Sequence, residues 1–261
     1  MKLYRINALL LKYHYITMNS LDRIFDLFYW PVIDIFLWGF ATYYLDSVST
    51  INFLSMFMGG IVLWVFFWRT SMDISVYILE DFWSHNLYNM FTSPVKTSEL
   101  IVSIMLLAFG RSAISFFFLS LIGYLLYSFN IFQIGFLHLS VFVVALVLMG
   151  WALGLFVTGL IFRFGSRIQV LAWSVPWLLQ PFSCIFYPLS SLPLWAQHIA
   201  IVIPITHIFE GMRTVLFGGQ LHVGSVLYAI FGSLGLMALA SLYLGSSIRA
   251  AKKSGLLSRY D

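Results

Sequence analysis

The chain has 261 residues, of which 61% are hydrophobic and only 9% are charged, and its formal net charge is +4. A water-soluble surface needs roughly 25–35% charged residues, so this composition excludes a soluble domain and predicts a single all-α, polytopic membrane domain over residues 1–261. The single cysteine, Cys184, excludes an internal disulfide and a cysteine-based metal cluster, and we expect no metal site.

Residues 1–22 predict an amphipathic helix that lies flat in the membrane interface. Apolar residues share one face of a helical projection and basic residues another: Leu3, Ile6, Leu10 and Tyr13, against Arg5 and Lys12. The apolar run is too short for a secretory signal peptide. A frayed basic terminus is the alternative.

Six stretches are long and apolar enough to cross a bilayer, which takes about 18 or more residues. We number them spans 1 to 6, with a continuation of the second as helix to Leu79 as an option. Their predicted bounds are Leu27–Leu45, Ile51–Trp68, Ile101–Tyr127, Phe136–Phe162, Ile168–Tyr187 and Val226–Ile248.

A short semi-polar segment separates spans 2 and 3, within residues 79–98. Residues 86–94 read Asn-Leu-Tyr-Asn-Met-Phe-Thr-Ser-Pro, a mixture of amides, hydroxyls and aromatic rings that stops at a proline. Such a segment should lie at the water boundary and contact something there.

Residues 188–224, between spans 5 and 6, form a second unusual segment. They are apolar enough to enter the bilayer, but Pro188, Pro193 and Pro204 divide them into pieces too short to span it. We expect short broken helices that dip into the outer leaflet, as re-entrant segments do. A plain extracellular loop fits poorly with so few charges.

The basic residues predict the topology. Lys and Arg precede span 1 and follow spans 2, 4 and 6, whereas the loops after spans 1 and 3 contain none and the segment after span 5 contains only Arg213. The positive-inside rule therefore places both termini in the cytoplasm. This placement favours the lipid bilayer over nucleic acid as the partner of the positive charge.

The order of these features resembles the permease subunit of ABC-2-type ABC transporters. The motifs that carry the resemblance are Leu87–Pro94, Tyr187–Pro193 and Pro204–Arg213, and the likeness extends over nearly the whole chain. The family includes exporters of polysaccharides and drugs in the bacterial or archaeal cytoplasmic membrane. The resemblance implies an exporter permease for an amphiphile, lipid, drug or glycan.

The resemblance also implies partners. The segment ending at Pro94 matches the coupling helix, which docks on a separate ATPase subunit. The residues implied in that interface are Trp83, Leu87, Tyr88, Met90, Phe91, Ser93 and Pro94, with Arg163 and Arg167 as a secondary contact. For Tyr88 and Phe91, packing against the N-terminal helix is the alternative. Six spans are half of an exporter core, so a second permease copy, identical or related, is implied.

The chain has no phosphate-binding loop of its own. That loop needs a lysine directly after a glycine, and none of the five lysines follows one. No catalytic residue and no cofactor is therefore expected in this chain, and ATP and Mg²⁺ belong to the partner subunit.

Ionisable residues inside spans are costly and are candidates for function. Asp34 and Arg111 could form part of the export path or of the dimer seam, or they could be an internal ion pair. Arg69 and Asp73, four apart on one helical face, are expected to be solvated on a helix that extends past the membrane. At the outer end, Glu210 and Arg213 could pair and, with the three prolines, act as a gate.

Two other classes of function stay open. A channel or a carrier not driven by ATP is one, although carriers usually have internal repeats and none is found. An intramembrane hydrolase is the other, although the Gly-x-Ser-Gly signature is absent.

Overall fold

The structure is a computed structural model that describes residues 1–48, 53–84 and 86–254. Ten α-helices lie within these ranges, and no β-strand does. In a bilayer every backbone polar group must be satisfied within the chain, which the helix achieves. The helices are α1 Leu3–Met18, α2 Leu21–Val48, α3 Phe53–Trp83, α4 Asn86–Thr92, α5 Thr97–Tyr127, α6 Phe136–Phe164, α7 Leu171–Leu179, α8 Leu194–Val202, α9 Pro204–Leu216 and α10 Val223–Ser254.

Five of these helices, α2, α3, α5, α6 and α10, are long and apolar enough to cross a membrane. They correspond to predicted spans 1, 2, 3, 4 and 6, so the all-α polytopic fold is confirmed. The pair α8 and α9 is bent by 99° and would count as one further span if taken together.

Predicted span 5 is not one continuous helix, and this prediction is corrected. Only α7 is α-helical there, with short 3-10 turns on both sides. Helix α7 continues through Pro176 and ends at Leu179, and Pro181, which has no backbone donor, lies in the 3-10 turn that follows. The segment nevertheless follows α3 from end to end. Along α3, Trp83 stacks on Trp173, Trp68 lies near Trp177, and Phe57 lies near Phe186.

Helix α3 is the centre of the bundle and is buried along almost its whole length. It approaches α6 most closely at two glycines spaced four apart. A Cβ atom on Gly150 would lie 2.0 Å from Thr70 Oγ1, and one on Gly154 would lie 2.8 Å from the carbonyl oxygen of Ser71. Small residues at this spacing let two membrane helices pack backbone against backbone.

Helix α1 packs along the first half of α5. The backbone N–H of Lys2 donates to Glu99 Oε1 at 2.8 Å, near the start of α5, and Thr17 hydrogen-bonds Tyr77 near the other end of α1. The buried stripe is Ile6, Leu9, Tyr13 and Thr17, one residue in each turn. Of the predicted apolar face, Ile6 and Tyr13 lie in this stripe, whereas Leu3 is 78% exposed and Leu10 is half-buried. The position of α1 in the membrane interface stays a prediction.

The two ends of the bundle differ in charge. At one end, α1, α4 and the C-terminal ends of α3, α6 and α10 come together, and most of the basic residues lie there. At the other end, Ile185 packs on Gly60 near the start of α3, and Arg213 is the only Lys or Arg among the described residues there. We call the first the basic end and the second, after its predicted topology, the outer end.

Candidate functional site

Helix α4 lies at the basic end with one face against its own bundle. Leu87 is 2% exposed and Met90 is 9% exposed, and both belong to a cluster with Leu9 and Tyr13 of α1. This revises the part assigned to Leu87 and Met90 as contacts to a partner: both side chains are used to seat α4 on the bundle. The short apolar sequence predicts a helix with one packed face. It does not show whether that face packs on the chain's own bundle or on a partner subunit.

A buried carboxylate fastens α4 to two other helices. Asp81, near the end of α3, accepts hydrogen bonds from Lys12 Nζ at 2.9 Å, from the Tyr13 hydroxyl at 2.5 Å and from Asn86 Nδ2 at 2.8 Å. Burial and the neighbouring Asp81 charge raise the pKa of Tyr13, so its hydroxyl stays a donor. Helices α1, α3 and α4 therefore meet at one side chain, which the sequence analysis did not single out.

The remaining predicted coupling residues also lie at the basic end. Phe91 is half-buried, with its ring 6.3 Å from that of Phe162 and the Lys252 ammonium 4.4 Å above it. The Ser93 hydroxyl donates to the carbonyl oxygen of Met90, which helps to end α4 before Pro94.

The exposed surface here is made of polar and aromatic groups. Its members are Trp83, Asn89, Thr92, Pro94 and Lys96, with Arg163 and Arg167 after α6. We call these residues the coupling surface. The side chain of Tyr88 lies outside the described part of the structure, so its role stays a prediction.

Four charges form a buried cluster where α2, α3 and α5 meet. Arg69 is fully buried and pairs with Asp26, and its nitrogen lies 3.9 Å from Asp73. Arg111, 6% exposed, lies 3.0 Å from Asp73, 3.2 Å from Asp26 and 3.0 Å from the Tyr77 hydroxyl. The expectation that Arg69 and Asp73 are solvated is wrong, because two further charged side chains neutralise them inside the protein.

This cluster also changes the interpretation of Asp34 and Arg111. Arg111 pairs with Asp26 and Asp73, so the alternative of an Asp34–Arg111 ion pair is not observed. Asp34 is half-buried on α2, and no ion pair to it occurs within the described ranges. Asp26 was missed because it directly precedes predicted span 1. The signal that could have found it is charge balance, since two buried arginines need two carboxylates.

The cluster borders a polar cavity of about 190 Å³. Asp26, Asp73, Glu80 and Arg111 are among its lining residues, and Arg23 pairs with Glu80 at its edge. Three carboxylates here, Asp26, Asp73 and Glu80, are paired with three arginines, Arg69, Arg111 and Arg23, and the exposed Asp22 is the remaining charge in the lining. The cavity is therefore suited to holding α2 against α3 more than to binding a charged ligand.

The outer segment is braced by a second ion pair. Arg213 Nη2 lies 2.6 Å from Glu210 Oε1, which also accepts the backbone N–H of Leu189 at 2.7 Å. Arg213 Nη1 donates to the carbonyl oxygen of Cys184 at 2.5 Å, where the backbone has a positive φ of 54°. The pair thus ties α9 to the chain that follows α7.

The prolines of this segment stand where helices begin. Pro188 precedes a 3-10 turn, Pro193 precedes α8, and Pro204 is the first residue of α9. Proline is favoured at helix starts because its missing N–H would have no intrahelical partner there. The prediction of short helices broken at prolines agrees with this geometry.

The chain was compared with known families and proteins. A family model described as ABC-2 type transporter matches residues 17–217, from the end of α1 through α9. No curated protein is similar enough to count as a relative. The matched range is well over half of the chain and contains α4, the charge cluster and the braced outer segment. The chain therefore belongs to the ABC-2 type transporter family, as a membrane domain of an ABC-type transporter.

Proposed function

We propose that this chain is the permease subunit of an ATP-driven exporter in the cytoplasmic membrane, with both termini in the cytoplasm. A membrane domain of this family works with an ABC ATPase, and the coupling surface is the region that we assign to that partner. The observation that carries the proposal is the two-sided nature of α4. Its inner face is seated on the bundle by Leu87 and Met90, while Asn89 and Thr92 face outward.

Coupling in this proposal runs through the contacts of α4. When the ATPase subunits close on ATP, a push on α4 reaches α3 and α1 at Asp81, where three donors converge. Helix α3 then carries the displacement to α6 through the close contacts at Gly150 and Gly154. A tightly packed interface of this kind transmits movement because it has little room to absorb it.

The export path requires a second permease copy in this proposal. Helix α2 is the least covered of the first four spans and presents an aromatic outer surface, which includes Trp30, Phe40 and Tyr43. We assign this surface, with Asp34, to the path or to the seam between two permeases. Arg111 is assigned to internal packing. Glu210, Arg213 and the three prolines are assigned to an outer gate, and the cargo to the amphiphiles, lipids, drugs and glycans.

Site-specific photo-crosslinking tests the coupling surface. A photoreactive amino acid at Asn89 or Thr92, in cells that express the full transporter, should trap a protein with an ATP-binding motif. The matched control is Leu242, which is 72% exposed on α10 and apolar, and which should trap no ATPase. Equal trapping from Leu242, or none from Asn89 and Thr92, would refute the assignment.

A further inference from the structure

We propose that the groove between α5 and α10 at the basic end binds one acidic phospholipid, with an acyl chain in the groove and the phosphate beside Lys252 and Lys96. The groove has a volume of about 410 Å³. Its walls are apolar side chains: Ile101 and Met105 from α5, Leu155 from α6, and Leu244 and Ile248 from α10.

The groove is open along α10 because a glycine lies in its wall. A Cβ atom built on Gly245 would meet no heavy atom within 4 Å, so the space beside it is free. The hydroxyls of Ser98 and Ser241 lie among the lining residues, and both residues are exposed. A long apolar slot with a few polar groups is suited to an acyl chain that ends in a polar head.

The charge at one end of the groove selects the kind of lipid. Residues Met237, Ser241, Leu244 and Ile248 follow one face of α10, and Lys252 is the next residue on that face, four after Ile248. Lys96, which is exposed, directly precedes the first groove residue of α5. In the described part of the chain neither lysine forms an ion pair with a carboxylate. The Lys252 ammonium lies 4.4 Å from the centre of the Phe91 ring, a neutral partner that leaves its charge available to a phosphate.

The carboxylate in the first turn of α5 does not face the groove. Glu99 lies on the other side of α5, where it accepts the backbone N–H groups of Lys2 and Lys96 and lies 3.5 Å from Arg5. Basic pockets between membrane helices at the cytoplasmic surface bind acidic lipid head groups. The α5–α10 groove has both parts of such a site, two lysines at the basic end and an apolar slot that begins beside them.

A second groove on α10 provides the contrast. It has about 420 Å³ and lies between α6 and α10, lined by residues such as Leu153, Phe156, Leu236 and Leu239. Neither groove has a basic residue in its lining, but the residue that follows Tyr243 on this face of α10 is Ser247, where the α5–α10 groove has Lys252 after Ile248. The second groove should accept acyl chains without regard to the head group, so a preference for acidic lipid is expected from the α5–α10 groove alone.

Native mass spectrometry of the purified full-length chain tests the proposal, with dioleoyl phosphatidylglycerol and dioleoyl phosphatidylcholine as probes. One phosphatidylglycerol should bind more tightly than phosphatidylcholine. Lys252→Gln should weaken phosphatidylglycerol binding about fivefold and leave phosphatidylcholine unchanged. Lys253→Gln, the matched control, removes the same charge from a neighbouring position off the groove face and should change binding less than twofold. Equal losses in the two variants would overturn the proposal.

Filling the groove tests where the acyl chain lies. Gly245→Phe should abolish the phosphatidylglycerol preference, whereas Gly235→Phe, which also faces open space but on another side of α10, should retain it. If Gly245→Phe does not elute as a folded species, Ser241→Phe fills the same groove from an exposed position. If the groove-filling variant still prefers phosphatidylglycerol, lipid does not occupy the groove. The same conclusion follows if the variant only changes the oligomeric state of the chain and leaves lipid binding unchanged.

Discussion

Asp81 illustrates how one side chain can join three helices. Its carboxylate, on α3, is almost fully buried and accepts hydrogen bonds from two donors on α1 and one on α4. Replacement of Asp81 removes the carboxylate that the Tyr13 hydroxyl and the Lys12 ammonium share as their acceptor.

Asp81→Asn should therefore lower the free energy of unfolding by about 2 kcal/mol, the scale of a hydrogen bond to a charged group. Thermal unfolding of the purified chain in detergent measures this. Asp22→Asn, which changes an exposed carboxylate on α2, is the control and should stay within about 0.5 kcal/mol. An Asp81 variant as stable as the control would mean that the three hydrogen bonds contribute nothing net.

The charge cluster makes a different prediction at the same scale. Asp73→Asn leaves Arg69 and Arg111 with one carboxylate between them, which should cost about 3–5 kcal/mol because a buried charge loses its partner. The double change Asp73→Leu with Arg111→Met removes one charge of each sign and should recover much of that loss. The measurement is the yield of monodisperse protein together with its melting temperature. A double variant less stable than the single one would contradict this account.

At the scale of elements, the close contact of α3 and α6 depends on glycine. Gly150→Ala would place a methyl group 2.0 Å from Thr70 Oγ1, so one helix must shift. The expected loss is about 1–3 kcal/mol, which is typical of overpacking. Gly235→Ala, on an open part of α10, should be neutral in the same thermal-unfolding assay. If the two variants unfold at the same temperature, α3 and α6 can accommodate the added methyl group without loss of stability, which would contradict this account.

The braced outer segment can be examined through the single native cysteine. Cys184 is buried, and Arg213 holds its carbonyl oxygen as well as pairing with Glu210. Arg213→Gln should raise the rate of Cys184 labelling by a maleimide at least tenfold, equivalent to about 1.4 kcal/mol of easier local opening. Glu210→Gln should raise it less, because an amide oxygen can still accept the N–H of Leu189. His222→Gln, an exposed change at the same end, is the control; a larger effect of Glu210→Gln would contradict the brace.

Elements with strong apolar runs were predictable, and their orientation was not. Five spans follow from length and hydrophobicity alone, but span 5 was predicted as one helix to Tyr187, because its apolar composition outweighed the break at Pro181. The inward face of α4 could not be predicted, since Leu87 and Met90 could equally have faced a partner. The positions of Asp26 and Asp81 depend on which helices meet, and a single sequence does not show that.

At the scale of the whole molecule, the unequal distribution of basic residues between the two ends predicts the orientation of the chain in the membrane. The basic end contains α1 and the end of α10 at Ser254, and the positive-inside rule predicts that this end lies in the cytoplasm. The outer end contains the turn after α5 and the loop before α10. The orientation in the membrane belongs to the whole bundle, because the orientation of one spanning helix fixes the orientation of all the others.

Cysteine accessibility checks that assignment in intact cells. In a Cys184→Ala background, Asn130→Cys and His222→Cys place single exposed thiols at the outer end, and Arg167→Cys and Lys253→Cys place them at the basic end. An impermeant thiol reagent added outside should label the first two and spare the others, because it cannot cross the membrane. Permeabilised cells are the control and should show labelling at all four positions. Labelling of Lys253→Cys from outside, with Asn130→Cys protected, would mean that the orientation is the reverse of the predicted one. The coupling surface would then lie on the side of the membrane that has no ATP.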